Sequence, residues 1–325
     1  MTVRRYPKLN IRSKNELAKH LSTKKISKES RLALINDVLT NFDTYWKDNL
    51  HESKPQERKY VRNAKHTHLD KLLRAINEQV LSPHDNLLPE FIFGGIKGKN
   101  HIKAAGHLLG EKRNRTLIKL DIQTFFEKID DKRVYYFFKN KCGCSSKASR
   151  ILANLCCIPE GPKDKPGTKK VLARGFATSS RLAIWCNLDT FLKLDWMIKK
   201  ELKGYDSRIA IYVDDIGITA SRVGKQKILN LEQKIEMILC SDKNAELPLN
   251  KEKTRVIPHQ EGMEHLGIIL RRNKLSLGKK TRSKLEETKK RISRAKDKDK
   301  VKKIKTQKRS LMSYKRSVET YKPAK

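Results

Sequence analysis

The stretch Ile209-Ala-Ile-Tyr-Val-Asp214-Asp215-Ile-Gly-Ile-Thr219 decides the fold of this chain. Apolar residues alternate on both sides of two adjacent acids, which predicts a β-hairpin with one buried face and its turn at the acids. Two neighbouring carboxylates repel each other and resist burial, so the pair is costly at such a turn unless a cation compensates it. Taken alone, an Asp-Asp pair is most often an ordinary turn, so a chemical role requires a further acid nearby.

A second apolar strand, predicted over residues 116–122, ends in another acid, Asp121. If this strand lies beside the hairpin, Asp121 and Asp214 face each other and can bridge two Mg²⁺ ions. Such ions, about 3.5–4 Å apart, activate an attacking hydroxyl and steady a pyrophosphate leaving group. Oxygen ligands without His or Cys suit Mg²⁺ rather than Zn²⁺. The two strands therefore predict a carboxylate site for divalent cations.

The charge of the chain narrows the class of partner. Its 325 residues include 74 Lys and Arg against 36 Asp and Glu, a net charge of +38. This excess predicts a polyanionic partner, above all nucleic acid, because each neutralised phosphate releases a counterion. Charge alone fits a ribosomal protein or a nuclease equally well. Apolar runs far shorter than about 18 residues argue against a membrane partner, and six dispersed cysteines are typical of intracellular thiols.

Periodicity and turn residues predict the flanking segments. Residues 28–46 have apolar side chains at helical spacing, and residues 59–62 are expected to form a short strand. The glycines of residues 94–98 lack the spacing of a nucleotide-binding loop and predict a turn. The loop at 159–170, rich in proline and charge, has the character of an insertion. After Gly278 the composition becomes strongly basic, which predicts either a solvated face or a docked helical pair that lies against phosphates.

Five short segments, in chain order, resemble the signature motifs of reverse transcriptases. They are Leu120-Asp121-Ile122 with Phe125-Phe126, Gly175-Phe-Ala-Thr-Ser179, Tyr212-Val-Asp214-Asp215 (the YxDD signature), Leu249-Asn-Lys-Glu-Lys-Thr254, and His265-Leu266-Gly267. Each segment is a weak signal by itself, but their order and spacing agree with the family over roughly residues 55–270. The chain is therefore similar to an RNA-directed DNA polymerase, a nucleotidyltransferase.

The resemblance implies an α+β right-hand polymerase fold. Its expected parts are N-terminal helices and fingers over residues 1–115, a palm over 116–270 with a fingers-type insertion around 130–175, and a small basic helical thumb over 271–325. In this arrangement the template RNA lies in a basic cleft, and a primer end attacks the incoming dNTP. The expected product is an RNA–DNA duplex.

The family motifs assign catalytic roles to Asp121, Asp214 and Asp215. Asp121 and Asp214 are expected to hold two Mg²⁺ ions with help from the Ile122 carbonyl, while Asp215 is a closer but less direct partner. A non-catalytic RNA-binding scaffold that kept the fold is the alternative from another functional class. Three carboxylates retained in so basic a protein argue for catalysis.

Three residues match positions that contact the nucleotide in the family. Phe126, five residues after Asp121, stands at the steric gate, where a bulky ring would clash with a ribose 2′-hydroxyl and favour dNTPs. An ordinary core aromatic is the alternative for Phe126. Gly175 belongs to the glycine-containing motif, and Arg174 precedes it where compact reverse transcriptases usually have Gln. An arginine there could hold the base pair or a phosphate.

Four cations match family positions that bind phosphates. Arg58, Lys59 and Arg62 lie on the expected fingers strand and would grip the triphosphate, with a solvated basic strand as the alternative. Lys253 matches a lysine that protonates pyrophosphate, and a simple phosphate contact explains it equally well. His265, Leu266 and Gly267 match the primer grip.

The length of the chain leaves no room for an RNase H, integrase or endonuclease domain, so it resembles the compact bacterial enzymes, retron reverse transcriptases and their defence-associated relatives. Residues Lys103-Ala104-Ala105-Gly106-His107 resemble the retron NAxxH element with Lys in place of Asn. The retron VTG element is absent, and Ser180 stands where retrons tend to have proline. These departures keep a non-retron defence enzyme with atypical templating or priming as an alternative.

The same resemblance implies partners and a location. It implies a cognate structured noncoding RNA as template, a role in defence against phage, an effector protein as a separate partner, and the bacterial cytoplasm as the location. Composition and spacing supply none of these inferences.

Overall fold

The computed structural model describes residues 5–242, 245–294 and 297–322, so a few residues of each of the three predicted subdomains lie outside it. The helices are α1 (Lys14–Leu21), α2 (Lys28–Thr40), α3 (His68–Ala75), α4 (His101–His107), α5 (Asp131–Tyr136), α6 (Ser146–Cys156), α7 (Ser179–Cys186), α8 (Leu188–Glu201), α9 (Lys225–Leu239), α10 (Lys279–Arg294) and α11 (Lys298–Glu319). The strands are β1 (Lys47–Asp48), β2 (Arg62–Asn63), β3 (Arg115–Asp121), β4 (Cys157–Pro159), β5 (Lys170–Leu172), β6 (Arg208–Tyr212), β7 (Asp215–Ser221), β8 (Arg255–Pro258), β9 (Glu264–His265), β10 (Ile268–Leu270) and β11 (Leu275–Leu277). The α+β class predicted from the sequence is confirmed.

A four-stranded antiparallel sheet forms the centre of the molecule, with strand order β6-β7-β3-β8. The predicted hairpin is confirmed as β6 and β7, which are joined by a two-residue turn because Tyr212 pairs with Asp215. Strand β3 lies beside β7 and pairs with it along its whole length, from Arg115 opposite Ser221 to Asp121 opposite Asp215. The two predicted strands are therefore neighbours, as the site hypothesis requires.

Both faces of this sheet are buried, and the prediction of a single buried face is wrong. Ile209, Ile211, Ile216 and Ile218 lie in the main core. On the opposite face, Ala210 lies in a second core to which α4, β10, β11 and the last two helices also contribute. Such double coverage favours apolar residues at nearly every strand position. The alternation in sequence did not reveal the second layer, because small residues such as Ala210 and Gly217 face it.

The segment between α6 and α7 is a β-hairpin that packs on the N-terminal region. Strands β4 and β5 pair antiparallel, with Cys157 opposite Leu172. At its tip the Lys163 amide donates to the Asp48 carboxylate at 2.9 Å, and the Lys163 ammonium lies over the Trp46 ring at 4.4 Å. The predicted insertion at 159–170 is thus held against the segment around β1. The strand predicted over residues 59–62 begins later in the structure: β2 is Arg62–Asn63, and only Arg62 falls in the predicted range.

The basic C-terminal run forms the helical pair that was one of its two predicted interpretations. Helices α10 and α11 pack against each other, and Leu285, Ile304 and Val318 are buried. Tyr314 stacks on His101 of α4 with 5.5 Å between ring centroids, and its hydroxyl is 2.9 Å from the imidazole Nε2. The pair is therefore docked on α4 through its apolar face, which leaves most of its Lys and Arg side chains in solvent. No helix in the described ranges is both long and apolar enough to span a bilayer.

Candidate active site

The sheet brings the three predicted carboxylates together at one end of β3 and β7. Asp121 and Asp215 are directly opposite each other in the ladder, and Cβ atoms of such pairs lie about 4.5–5.5 Å apart. Asp214 precedes Asp215 in the hairpin turn, and its carbonyl accepts a hydrogen bond from the Ile122 amide at 3.0 Å. The direct partner of Asp121 in the sheet is thus Asp215, and Asp214 adjoins the pair.

Burial makes this carboxylate cluster electrostatically unfavourable. Desolvation raises the pKa of Asp215 to about 6, with repulsion from Asp214 and Asp121 as further causes and with Lys119 and Lys253 opposing them. Desolvation also raises the pKa of Asp214, and Asp121 adds to this effect, while Arg174 and Lys59 act in the opposite direction. An added cation would stabilise the charged forms of both groups.

One carboxylate oxygen of Asp121 is buried without a hydrogen bond from the described part of the chain, which fits the same conclusion. Its Oδ2 is buried and accepts no hydrogen bond from the described residues, and the ion-pair partner Lys253 places its Nζ 3.7 Å away. Carboxylate oxygens of this kind are suitable ligands for Mg²⁺. In the described part of the chain, no three His, Cys, Asp or Glu side chains form a ready-made metal site. The oxygen donors of the three carboxylates fit the ligand preference of Mg²⁺.

A glycine turn supports the tip of the hairpin. Val213 has a left-handed backbone with φ of 60°, which is strained for a β-branched residue. A Cβ added to Gly94 would collide with the Val213 amide nitrogen and lie 2.5 Å from Val213 Cγ2. The Phe93 amide donates to the Ile211 carbonyl at 2.8 Å. The prediction of a turn at 94–98 is confirmed, but its contact with the acid-bearing hairpin has no signal in the sequence.

The segment around Leu249 supports Asp121 from the other side. Ile122 forms an isolated bridge with Leu249, the Asn250 amide donates to the Asp121 carbonyl at 2.8 Å, and the Gln123 amide donates to the Pro248 carbonyl at 2.8 Å. These bonds fix the backbone of Asp121 and Ile122, and they place Lys253 within reach of Asp121. The role of the Ile122 carbonyl as a metal ligand stays a prediction.

Phe126 and Arg174 are in direct contact. The Arg174 guanidinium carbon lies 4.7 Å from the centroid of the Phe126 ring, and its Nε and Nη2 donate to the two carboxylate oxygens of Glu127, each at 3.0 Å. Gly175 has φ of +101°, and a Cβ there would collide with the Arg62 carbonyl. Glu127 was not singled out in the sequence analysis, although an acid next to Phe126 and an arginine before Gly175 were both visible there.

The predicted phosphate-binding cations do not all face the site. The Arg62 guanidinium is buried, paired with Asp48 and hydrogen-bonded to the Gly161 carbonyl, so its prediction as a triphosphate ligand is wrong for this arrangement. Lys59 binds Glu57 at 2.8 Å, but its charge also lowers the pKa of Asp214. Arg58 is exposed, with a left-handed φ of 52° at the end of a short 3₁₀ turn. Among these three cations, Lys59 is thus the one whose charge lowers the pKa of Asp214.

The predicted grip His265-Leu266-Gly267 forms a tight turn between β9 and β10. Leu266 and Gly267 have φ values of 53° and 72°, as in the two-residue turns that fit strand twist. The His265 side chain points inward: it is fully buried, and neither ring nitrogen has a hydrogen-bond partner among the described residues. Burial lowers its pKa to about 3. The His265 side chain therefore does not contact solvent or a nucleic acid, which corrects this part of the prediction.

The family comparison covers most of these residues. A family model described as reverse transcriptase (RNA-dependent DNA polymerase) matches residues 53–270, about two thirds of the chain. The matched range contains the whole central sheet, the three carboxylates and the Gly94 turn. No curated protein matches the chain.

Proposed function

The chain belongs to the reverse transcriptase family and is an RNA-directed DNA polymerase, and we propose that Asp121, Asp214 and Asp215 are its catalytic carboxylates. The observation that carries this proposal is the pairing of Asp121 with Asp215 across β3 and β7, with Asp214 in the adjoining turn. Burial and mutual repulsion raise the pKa of both hairpin acids. A cluster of this kind is unfavourable in an isolated protein and becomes favourable when cations bind.

Reverse transcriptase domains generally use divalent metal ions, and two Mg²⁺ ions are the proposed form here. The three carboxylates and the Ile122 carbonyl would hold them. When bound, such ions lower the pKa of the attacking hydroxyl and neutralise the charge of the pyrophosphate that leaves. Lys253 lies 3.7 Å from Asp121, where it can donate a proton to pyrophosphate or neutralise it. Lys59 and Arg58 are the proposed contacts for the incoming triphosphate.

Phe126 is the proposed steric gate for the sugar of the incoming dNTP. It is five residues after Asp121, and its ring is almost fully buried. The neighbouring Arg174 is close enough for its charge to lower the pKa of Asp214. This proximity supports a position beside the reacting nucleotide over that of a remote core aromatic.

The sheet that carries the carboxylates is the proposed core of the polymerase palm, and the other subdomains are proposed around it. Residues 1–115 would form the N-terminal helices and fingers, 116–270 the palm with the insertion around 130–175, and 271–325 the basic thumb. The turn at Leu266 and Gly267 would contact the primer through its backbone, because the His265 side chain is buried. The exposed cations of α10 and α11 would bind the phosphates of an RNA–DNA duplex.

A retron or related defence enzyme is the proposed subgroup. The resemblance of Lys103-Ala104-Ala105-Gly106-His107 to the NAxxH element supports it. This segment contacts the residue before the Gly94 turn, because the His107 ring lies 5.4 Å from Phe93. The proposed template is a structured noncoding RNA, with a separate effector protein as a further partner. Sequencing the nucleic acid that copurifies with the protein tests this subgroup. One dominant structured RNA joined to complementary DNA would support it, and a random RNA population would contradict it.

Asparagine substitutions test the catalytic carboxylates directly. D121N, D214N and D215N should each abolish Mg²⁺-dependent dNTP incorporation on an RNA template, because each removes charge from the metal site while the side chain keeps its shape. D37N is a matched control, since Asp37 of α2 is more exposed than Asp121 and pairs with His68, itself half-exposed, at 2.7 Å. Full activity in D121N or D214N would reject the metal assignment. An inactive wild-type protein, assayed with its copurified RNA, would favour the RNA-binding scaffold.

A further inference from the structure

We propose that Arg174 is a positioning residue that holds the ring of Phe126 in place and thereby sets the preference of the enzyme for deoxyribonucleotides over ribonucleotides. The inference rests on the proposed function, in which Phe126 limits the space for the sugar. It assigns a role to a residue pair, Arg174 and Glu127, that the catalytic proposal leaves without one.

The contacts of Arg174 fix it in one orientation. Its guanidinium lies over the Phe126 ring at 4.7 Å, within the range of a cation–π interaction. Two parallel hydrogen bonds of 3.0 Å to Glu127 set the plane of the guanidinium. Such a bidentate pair restricts rotation much more than a single contact does. The Phe126 ring is thus covered on one face by a group that is itself held by the next residue in the chain.

The backbone of Arg174 is also anchored. Its carbonyl accepts a hydrogen bond from the Arg62 amide at 2.7 Å, and the following Gly175 fits against the Arg62 carbonyl with no room for a Cβ. Arg62 in turn is buried with Asp48. A chain of fixed groups therefore connects the N-terminal region to the ring of Phe126, so the ring does not rely on its own packing alone.

Charge pairing argues against a direct phosphate role for Arg174. Its side chain is 18% exposed and that of Glu127 is 10% exposed, so both charges are shielded and matched to each other. A guanidinium whose Nε and Nη2 already bind a carboxylate has fewer donors left for a triphosphate. Apart from its charge, which lowers the pKa of Asp214, its contact with the Phe126 ring is the interaction by which Arg174 reaches the proposed nucleotide site. Arg174 therefore acts through the ring.

A ring that is free to rotate discriminates poorly against an extra hydroxyl group. Loss of the guanidinium should let Phe126 move away from the sugar, so rNTP incorporation rises relative to dNTP incorporation. The effect of the lost charge on Asp214 acts on both nucleotides alike and leaves their ratio unchanged. A direct phosphate contact predicts another result: KM would rise equally for dNTPs and rNTPs, and the ratio between them would stay constant.

The experiment measures kcat/KM for one dNTP and the matching rNTP on the same RNA template. The variants are R174A, R174K, E127Q, F126A and the double variant F126A/R174A. R174K retains the charge but loses the planar fork and the stacking surface. R150Q is the matched control, because Arg150 also lies over an aromatic ring, Tyr135 at 4.6 Å, and pairs with an acid, Asp131 at 3.2 Å. Thermal unfolding of each variant shows whether it is folded.

The dNTP/rNTP ratio should fall about tenfold in R174A, the effect of a lost ring contact of moderate strength. R174K and E127Q should show the same direction, and R150Q should keep the wild-type ratio. In F126A the ratio should fall further, with no added effect of R174A, because both act through one ring. An unchanged ratio in folded R174A and R174K, in an enzyme that incorporates dNTPs, overturns this inference alone. A wild-type protein without dNTP incorporation overturns the proposed function as well.

Discussion

Asp215 is a source of instability in the protein without metal. Its folded pKa of about 6 lies above the unfolded value near 3.8, so the folded protein binds the proton more tightly than the unfolded chain does. The penalty is absent below about pH 3, where both states are protonated, and it grows as the pH rises through the unfolded pKa of 3.8 to the folded pKa of about 6. Above pH 6 the charged carboxylate lowers the free energy of unfolding by roughly 2–3 kcal/mol.

The D215N variant should therefore be more stable than the wild type at pH 8, by up to roughly 2–3 kcal/mol, and equal to it at about pH 3. Thermal unfolding in EDTA across this pH range measures the difference. Added Mg²⁺ should raise the melting temperature of the wild type and have a smaller effect on D215N. A constant difference between the two proteins at every pH would show that the charge of Asp215 is not the cause.

The ionisation of His265 changes the free energy of unfolding with pH in the opposite direction. Its folded pKa of about 3 is below the ordinary value of 6.5, so the unfolded chain takes up the proton first and the folded protein loses stability as the pH falls below 6.5. At pH 5 the loss is about 2 kcal/mol. We expect H265L to remove this acid sensitivity and to retain polymerase activity at pH 8, with H51L on an exposed loop as control. Loss of activity in a stable H265L protein would restore a role for the side chain in gripping the primer.

The catalytic acids, His265 and Arg62 show which properties of single residues could be predicted from the sequence. The three acids were predictable because their side chains follow apolar strands, and strands of one sheet must end near one another. The burial of His265 was not, because a two-residue strand gives no periodic signal for which face is covered. Arg62 was misassigned for a related reason: its partners Asp48 and Gly161 lie 14 and 99 residues away in the chain, and nothing local marks them as contacts.

The hairpin turn depends on an element that the sequence indicated only as a loop. Val213 keeps its strained φ of 60° because the segment around Gly94 packs against its amide group. Strain at a functional turn persists only where surrounding structure imposes it. The Gly94 turn is thus a support for the position of Asp214, although it contributes no side chain to the site.

G94A tests this support. The added methyl group collides with the Val213 backbone, so the turn must shift, and a displacement of about 1 Å at a catalytic group can reduce activity about 100-fold. We expect a loss of dNTP incorporation of that order, measured as kcat, in a protein that stays folded by circular dichroism. G224A is the control, because none of the described residues comes within 4 Å of a Cβ at Gly224. Equal activity of the two variants would mean that the turn adapts without moving Asp214.

The secondary structure was more predictable than the way the elements pack. Strands β3, β6 and β7 follow from alternation and apolar composition, and the strand-to-turn boundaries fall at the acids as expected. The second layer under the sheet did not follow, since Leu117 and Ala210 lie in one core and their neighbours in sequence lie in another. The β4–β5 hairpin was visible only as an insertion, because its docking depends on Lys163 meeting Trp46 and Asp48.

Charge and shape act together in the whole molecule. The chain has a net charge of +38. Helices α10 and α11 bury only a narrow apolar stripe and expose most of their Lys and Arg side chains. The stacked pair of His101 and Tyr314 holds α11 against α4, and the ring of Tyr321 packs on Gly106 of the same helix. The basic pair therefore has a fixed attachment on one side and a cationic surface on the other.

This arrangement predicts how nucleic-acid binding depends on salt. For single-stranded nucleic acid, the logarithm of the binding constant falls with the logarithm of salt concentration by about 0.7 per neutralised phosphate. The exposed side chains Lys302, Lys303, Lys305 and Arg309 of α11 are candidates for such contacts. Replacing all four with Gln should reduce the slope by up to about 3, measured by fluorescence anisotropy with a labelled RNA between low and moderate salt.

The matched control replaces Lys19, Lys24, Lys25 and Lys28 with Gln. These lysines are exposed in and near α1 and α2, and their replacement removes the same amount of charge. An equal change of slope in both quadruple variants would assign the effect to total charge and would contradict a dedicated nucleic-acid surface on α11.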